Sequence, residues 1–359
     1  MKLLVLDGDG IGPEVNAQAL RVLDAVAQKT DGLSFEVEHE LFGGASLDEH
    51  GIPLTDEVVR KAKASDAVLL GAVGGPKWDD VEPERRAERG LLRIRKELGV
   101  YANLRPAKFY DCLTASGPLR PERSSGADFV VVRELVSGIY FGEPRGIAAD
   151  GESGVNSLTY TADEVRRVGR IAFDIAKKRG GRLTSVDKAN VLEVMRMWRN
   201  TMVKLRDDEF PDVELEHAYV DAFAMTLVTR PKSCDVIVTG NMFGDILSDI
   251  AAALTGSLGM LPSASLGDGT GIYEPVHGSA PDIAGEGKAN PLGAILSAAL
   301  LLEHAVERVD LADKVRDAVE STLDDGLRTG DIMTDDGNAR LVGTDEMGDT
   351  VIAKLNERL

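Results

Sequence analysis

The run Asp235-Val236-Ile237-Val238-Thr239 carries apolar β-branched side chains at consecutive positions, so as a strand it buries both faces. Such a strand belongs in a mostly parallel sheet covered by helices, which places the chain among α/β proteins. After Gly240, the residues Asn241-Met242-Phe243-Gly244-Asp245-Ile246-Leu247-Ser248-Asp249 predict a helix begun near Met242, with Asp245 and Asp249 on one face. Like charges four residues apart repel by roughly a few tenths of a kcal/mol, which is tolerable on a solvated face or around a divalent cation. The pair alone allows both readings. Its place at the carboxyl end of a buried strand is where α/β proteins hold ligands.

Composition narrows the class. A chain of 359 residues with 43% hydrophobic content is too long for one comfortable core, so two domains are expected. Lys plus Arg is 41 against 60 for Asp plus Glu, and the formal charge of −19 repels phosphate backbones, which excludes nucleic acid as a partner. Such acidity also suits a salty cytoplasm. Cys112 and Cys234 match no metal or redox spacing and fit a reducing compartment. The apolar start, Leu3 to Leu6, is too short for a signal peptide or a membrane span, so a soluble cytoplasmic protein is expected.

Strand and helix alternate along the chain. A strand over 2–6 leads through Gly8-Asp9-Gly10-Ile11-Gly12-Pro13 into a helix over 14–28. This is not a dinucleotide fingerprint, because the third glycine would fall at Pro13, which instead starts a helix. Strands are expected over 35–41, 67–70, 128–133, 138–142, 183–186 and 213–219, with helices over 56–64, 163–178, 191–206, 222–229, 292–306 and 311–323. The Gly-rich stretch 145–160 reads as an extended arm. The Gly, Ser and Pro-rich run 256–291 reads as irregular, a feature that is usually functional at this length.

Several side chains suit a site. Glu88, Leu91, Leu92 and Arg95 share one helix face, either a core stripe with costly charged ends or a wall with leucines for an alkyl group and Arg95 for a carboxylate. Arg105 and Arg133 can grip carboxylate oxygens bidentately, and three such arginines suggest a dicarboxylate. Tyr140 lies in the apolar stretch 138–142, where it reads as a packed aromatic with its hydroxyl satisfied. Lys188 follows a strand and is either a base or a salt-bridge partner of Asp187 or a neighbour. Asp221 caps a helix or joins Asp245 and Asp249, and three carboxylates suit Mg²⁺ or Mn²⁺ rather than zinc. The loop 274–285 sets His277 and Asp282 among small residues. Asp282 there would accept ribose hydroxyls and repel a ribose phosphate, which points to NAD over NADP.

These segments, with Gly8 to Glu14, Gly71 to Trp78, Ala102 to Lys108, Val132 to Gly146 and Val186 to Val194, resemble the isocitrate/isopropylmalate dehydrogenase family of β-decarboxylating dehydrogenases over nearly the whole chain. The resemblance implies a two-domain isopropylmalate-dehydrogenase-like fold with a mostly parallel central sheet, not a Rossmann fold. The first domain, 1–100 and 256–359, is discontinuous and cofactor-side; the second, 101–255, carries the arm and a dimer interface. It implies NAD-dependent oxidative decarboxylation of 3-isopropylmalate to 4-methyl-2-oxopentanoate and CO₂ in leucine biosynthesis. The homodimer would share its sites across the interface, Lys188, Val191 and Asp221 coming from one subunit and the remaining substrate and metal residues from the other.

Residue by residue, the resemblance gives Arg95, Arg105 and Arg133 the substrate carboxylates, and Leu91, Leu92 and Val191 the isopropyl group. Asp221, Asp245 and Asp249 take Mg²⁺ or Mn²⁺, with Asp221 also at the substrate. Lys188 is the base and Tyr140 the acid. Glu88 and Gly75 serve the nicotinamide side, and His277, Gly278, Ser279, Ala280, Asp282 and Asn290 the adenosine half. Three departures stand out: Asp7 in place of a proline, Thr229-Arg230-Pro231, and 324–349, which matches nothing specific. Rival readings are a D-malate, tartrate or homoisocitrate dehydrogenase of the same family, and a non-catalytic regulatory subunit. A third substrate carboxylate would call for a polar group where Leu91 and Leu92 stand.

Overall fold

The computed structural model describes residues 1–82, 85–334, 337 and 339–359. From the amino terminus the order is β1 (Lys2–Gly8), α1 (Gly12–Gln28), β2 (Glu36–His39), α2 (Gly44–His50), α3 (Asp56–Ala64), β3 (Ala67–Ala72) and α4 (Ala87–Glu97). Next come β4 (Val100–Lys108), α5 (Pro121–Ser124), β5 (Asp128–Glu134), β6 (Gly146–Ile147), β7 (Gly154–Val155), α6 (Ala162–Lys178) and β8 (Arg182–Asp187). The chain continues through α7 (Glu193–Glu209), β9 (Glu214–Tyr219), α8 (Val220–Thr229), β10 (Val236–Thr239) and α9 (Asn241–Thr255). It closes with β11 (Pro262–Gly267), β12 (Gly271–Pro275), α10 (Leu292–His304), α11 (Val309–Asp324) and α12 (Thr344–Asn356).

Two compact units result. The first holds residues 1–100, 110–118 and 255–359, the second 101–109 and 119–254. Residues 110–118, expected in the second domain, belong to the first because Leu113 is buried there and Arg328 donates to the Cys112 carbonyl at 2.9 Å.

In the first unit the strand order is β2-β1-β3-β12-β11, parallel throughout except for the β11–β12 pair. β1 and β3 are apolar and buried, whereas β2 is exposed along its length, a charged edge that discourages further strand pairing. α10 packs against α1, α11, β11 and β12, and its residues 292–302 are buried on every side, so it lacks an amphipathic period. The run 256–291, expected to be irregular, contains β11 and β12. Both strands are short and bounded by glycine, and their burial comes from α10, a partner that local composition does not reveal.

In the second unit the order is β4-β5-β10-β8-β9, with only β4 antiparallel to its neighbour β5. Val236, Ile237 and Val238 of β10 are fully buried, as their composition requires. α6 begins with a capping box: the Thr161 hydroxyl accepts from the Glu164 amide, and the Glu164 carboxylate accepts from the Thr161 amide at 2.7 Å. The expected arm, 145–160, contains the exposed antiparallel pair β6 and β7. Among the described residues, no helix is long and apolar enough to cross a membrane.

Candidate active site

In the second unit, register sets the site. Arg133, the last residue but one of β5, lies beside Thr239 of β10 and opposite Asn103 of β4, so Arg105, Arg133 and the start of α9 come together. Arg105 donates from Nε to Asn103 at 2.7 Å and from Nη1 to the Ser248 hydroxyl at 2.8 Å, and lies 3.6 Å from Asp249 and 3.8 Å from Asp245. Arg133 pairs with Asp245, whose other oxygen accepts from the Tyr140 hydroxyl at 3.0 Å. Partial burial first, then Asp245, raises the Tyr140 hydroxyl above its ordinary range, so it stays a proton donor. Burial also raises the Asp249 carboxyl, opposed by Arg105 and reinforced by Asp245.

Tyr140 was expected in a strand and instead closes a 3₁₀ turn, Gly138–Tyr140. Gly138 adopts a φ of 80°, and the Phe141 and Gly142 amides both bond back to its carbonyl, so the backbone turns where apolar content alone suggested extension.

Elsewhere in this unit Lys188 follows β8 and donates to Asp221 at 2.6 Å, while Asp187 is occupied by Arg199 and the Ala189 amide. Asp221 lies in the first turn of α8, and Lys188, then backbone amides, hold its carboxyl below the ordinary range. Val191, expected inside a helix, lies in the turn before α7 and is 63% exposed. Its amide bonds to the Lys188 carbonyl at 3.1 Å, which closes that turn before the helix begins. Among the described residues, no three His, Cys, Asp or Glu side chains form a metal cluster within one chain. Asp245 and Asp249 stand one turn apart on α9 and offer only oxygen donors, a set that fits Mg²⁺ or Mn²⁺.

In the first unit, the buried stripe of α4 and the turn after it is Ala87, Gly90, Ile94 and Leu98. Leu91 and Leu92 are only half-buried and Glu88 is exposed, so this face is not a core stripe. Arg95 is buried and donates to Glu274 at 2.6 Å, a partner far away in sequence. Gly74, in the loop after β3, holds a φ of 91°, a backbone conformation that favours glycine, with the exposed Glu88 carboxylate of α4 beside it. The loop is fixed from behind by Asp9, whose buried carboxylate accepts from the Gly74 amide at 2.7 Å and from Gly44 and Ala45 at 2.8 Å each. Burial raises that carboxyl, and the three amides oppose the shift.

The same turn reaches the 277–282 loop, since the Ile11 amide donates to the Ser279 carbonyl at 2.8 Å. His277 donates from Nδ1 to the Gly278 carbonyl at 2.9 Å, and its Nε2 is buried without a hydrogen-bond partner. Burial lowers the His277 pKa, so the ring is a neutral acceptor, which fits a cofactor bearing a donor group. Ser279 is buried, Gly278 and Asp282 are exposed, and Ala280 holds a φ of 37°. Asn290 is fixed by Asp331 at 3.0 Å and by the Leu292 amide at 3.0 Å. Asp9, Glu274, Asn241, Tyr160 and Asp331 were not found as site residues by sequence reasoning, although Asp9, Asn241 and Glu274 fall inside motifs that it considered and Tyr160 ends the stretch read as an arm.

A family model described as isocitrate/isopropylmalate dehydrogenase matches residues 2–351. The chain belongs to this family. The 3-isopropylmalate dehydrogenase of Aquifex aeolicus is 55% identical over 360 residues, covering 100% of this chain and 98% of that protein. That of Chromohalobacter salexigens is 55% identical, covering 98% of each. Among solved structures, isocitrate dehydrogenase from Methylococcus capsulatus matches with a TM-score of 0.85 at 30% identity, covering 99% of both chains. The family's α/β fold accounts for the mostly parallel strands of both units and for the absence of a dinucleotide fingerprint after β1.

Proposed function

We propose that the chain oxidises 3-isopropylmalate with NAD and a divalent cation, Mg²⁺ or Mn²⁺, releasing CO₂ and 4-methyl-2-oxopentanoate in leucine biosynthesis. The observation that carries the chemistry is Asp245, which joins a carboxylate-binding arginine, a tyrosine hydroxyl and a second carboxylate one turn on. The substrate is supported by relatives named 3-isopropylmalate dehydrogenase, and by two leucines that α4 leaves outside the core.

Arg95, Arg105 and Arg133 bind the substrate carboxylates, while Leu91, Leu92 and Val191 surround the isopropyl group, worth roughly 1 to 3 kcal/mol against a polar substituent. Asp221, Asp245 and Asp249 hold the cation, and Asp221 also meets the substrate. NAD supplies the hydride acceptor, and the cation supplies charge stabilisation at the substrate oxygens. Lys188 takes the hydroxyl proton as the carbon–hydrogen bond yields its electron pair, leaving a β-keto acid. Loss of CO₂ from the carboxylate leaves an enolate, to which Tyr140 donates a proton at carbon to give the ketone. Glu88 and Gly75 line the nicotinamide side. His277, Gly278, Ser279, Ala280 and Asn290 hold the adenosine half, and Asp282 accepts from the ribose.

The working form is a homodimer. Within one chain Asp221 is occupied by Lys188, and Met225, Val228 and Ile246 of α8 and α9 are exposed apolar side chains suited to a second copy. Cys112 and Cys234 are both unpaired, which supports a cytoplasmic setting.

The test compares NADH production with Mg²⁺ on 3-isopropylmalate, D-malate, isocitrate and homoisocitrate. The expected specificity constant is at least about tenfold higher for 3-isopropylmalate. Preference for another acid would overturn the leucine pocket, and no turnover of any would restore the regulatory reading.

A further inference from the structure

We propose that Asn241 is a positioning residue that aims the Arg133 guanidinium at substrate while adding no counter-charge, an inference that rests on Arg133 binding a substrate carboxylate. The Asn241 side-chain oxygen accepts from Arg133 Nε at 3.0 Å and from Nη2 at 2.8 Å, so one edge of the guanidinium fork is fixed. Its Nδ2 donates to the Ser137 carbonyl at 3.1 Å. These partners settle the amide's orientation, because reversing it would set an NH₂ group against the guanidinium and two carbonyl-type oxygens against each other.

Asn241 is itself anchored. Its backbone amide, at the start of α9 where no helical acceptor exists, donates to the Tyr160 hydroxyl at 2.8 Å. Tyr160 packs edge-on against the buried Trp198 ring at 5.2 Å. Burial, then the Glu134 carboxyl to which its hydroxyl bonds, raises the Tyr160 hydroxyl above the ordinary range, so it stays neutral. One turn along α9, a Cβ at Gly244 would stand 2.7 Å from Arg133 Cγ, so this helix admits the arginine stem only because glycine is there.

The chemistry of position 241 follows. Arg133 is 5% exposed and already pairs with Asp245, which the proposed function assigns to the cation. A carboxylate at 241 would reproduce the fork geometry and add a second permanent anion, weakening attraction for an incoming carboxylate. An amide gives the geometry without the charge. This makes Asn241 a determinant of anion affinity with no substrate contact required of it.

The experiment uses the full chain with Asn241→Asp, Asn241→Ser and Arg133→Gln, measuring melting temperature, kcat, KM for each substrate, and calorimetric binding of 3-isopropylmalate with Mg²⁺ and no NAD. Both Asn241 variants are expected to raise the KM and Kd for 3-isopropylmalate by about tenfold or more, with the KM for NAD within about twofold. If Asn241→Asp does not fold, Asn241→Ser carries the test alone. Unchanged 3-isopropylmalate affinity in the folded variants, alongside weakened binding in Arg133→Gln, overturns this inference alone. Unchanged affinity in Arg133→Gln as well overturns the assignment of Arg133 to the substrate. A parallel loss in kcat and both KM values reports general disruption and also overturns the positioning role.

Discussion

Glu134 ends β5 with its carboxyl fully buried, and burial pushes its pKa up to about 7 from an ordinary 4.5, against the opposing Val136 and Ser137 amides and Arg167. Between those two values the folded chain keeps a proton that the unfolded chain has released. This group therefore lowers stability as pH rises from 4.5 to about 7, and by a constant amount above that. Glu134→Gln removes the titration. Its melting temperature relative to the parent is expected to climb through that window and level off above it, and a difference that does not vary with pH would disprove the assignment. The same residue shows what sequence can hide. Arg133 was legible as a charged strand end, but the groups that tune its surroundings, Asn241, Tyr160 and Glu134, could not be assigned, because their roles depend on contacts across 108 residues and 81 residues of chain.

At the scale of elements, periodicity recovered those whose burial is one-sided or complete over a long run. α3 and α6 fall within a residue of their expected starts, and β10 within one of its own. It failed where a fold-level partner decides: β11 and β12 needed α10 to bury them, and Tyr140 needed Gly138 to turn. In the sequence, the turn after β1 reads as a tight glycine turn that is not a dinucleotide motif and as part of the family resemblance, with no role given to Asp9. In the structure its Asp9 ties α2 to the Gly74 loop, while Ile11 ties to Ser279. Replacing Asp9 by Asn puts an NH₂ group among three amide donors, so one or more buried N–H groups lose their acceptor. Asp9→Asn is expected to raise the KM for NAD by about tenfold and lower the melting temperature, with the KM for 3-isopropylmalate nearly unchanged. An unaltered KM for NAD in the folded variant would separate this turn from cofactor binding. Asp7, where the family resemblance led to proline, accepts from Asn16 at 3.2 Å and pairs with His39 at 3.0 Å, so this departure is absorbed locally.

For the whole molecule, two forces act on assembly with opposite sign. Met225, Val228 and Ile246 are 63%, 40% and 50% exposed, and covering them against a second copy removes apolar surface from water. Each copy also carries −19, so two copies repel at long range. Salt acts almost entirely on the second term: the Debye length falls from about 10 Å near 0.1 M to about 3 Å at 1 M, while apolar burial is not screened. The proposed homodimer is therefore expected to tighten as KCl rises from about 0.05 M to about 0.5 M, with a smaller dissociation constant by sedimentation velocity and a higher melting temperature. Weaker association over that range would mean that attractive ion pairs across the interface outweigh the net repulsion. The acidic composition would then serve solubility alone, and the expectation of salt adaptation drawn from it would fall.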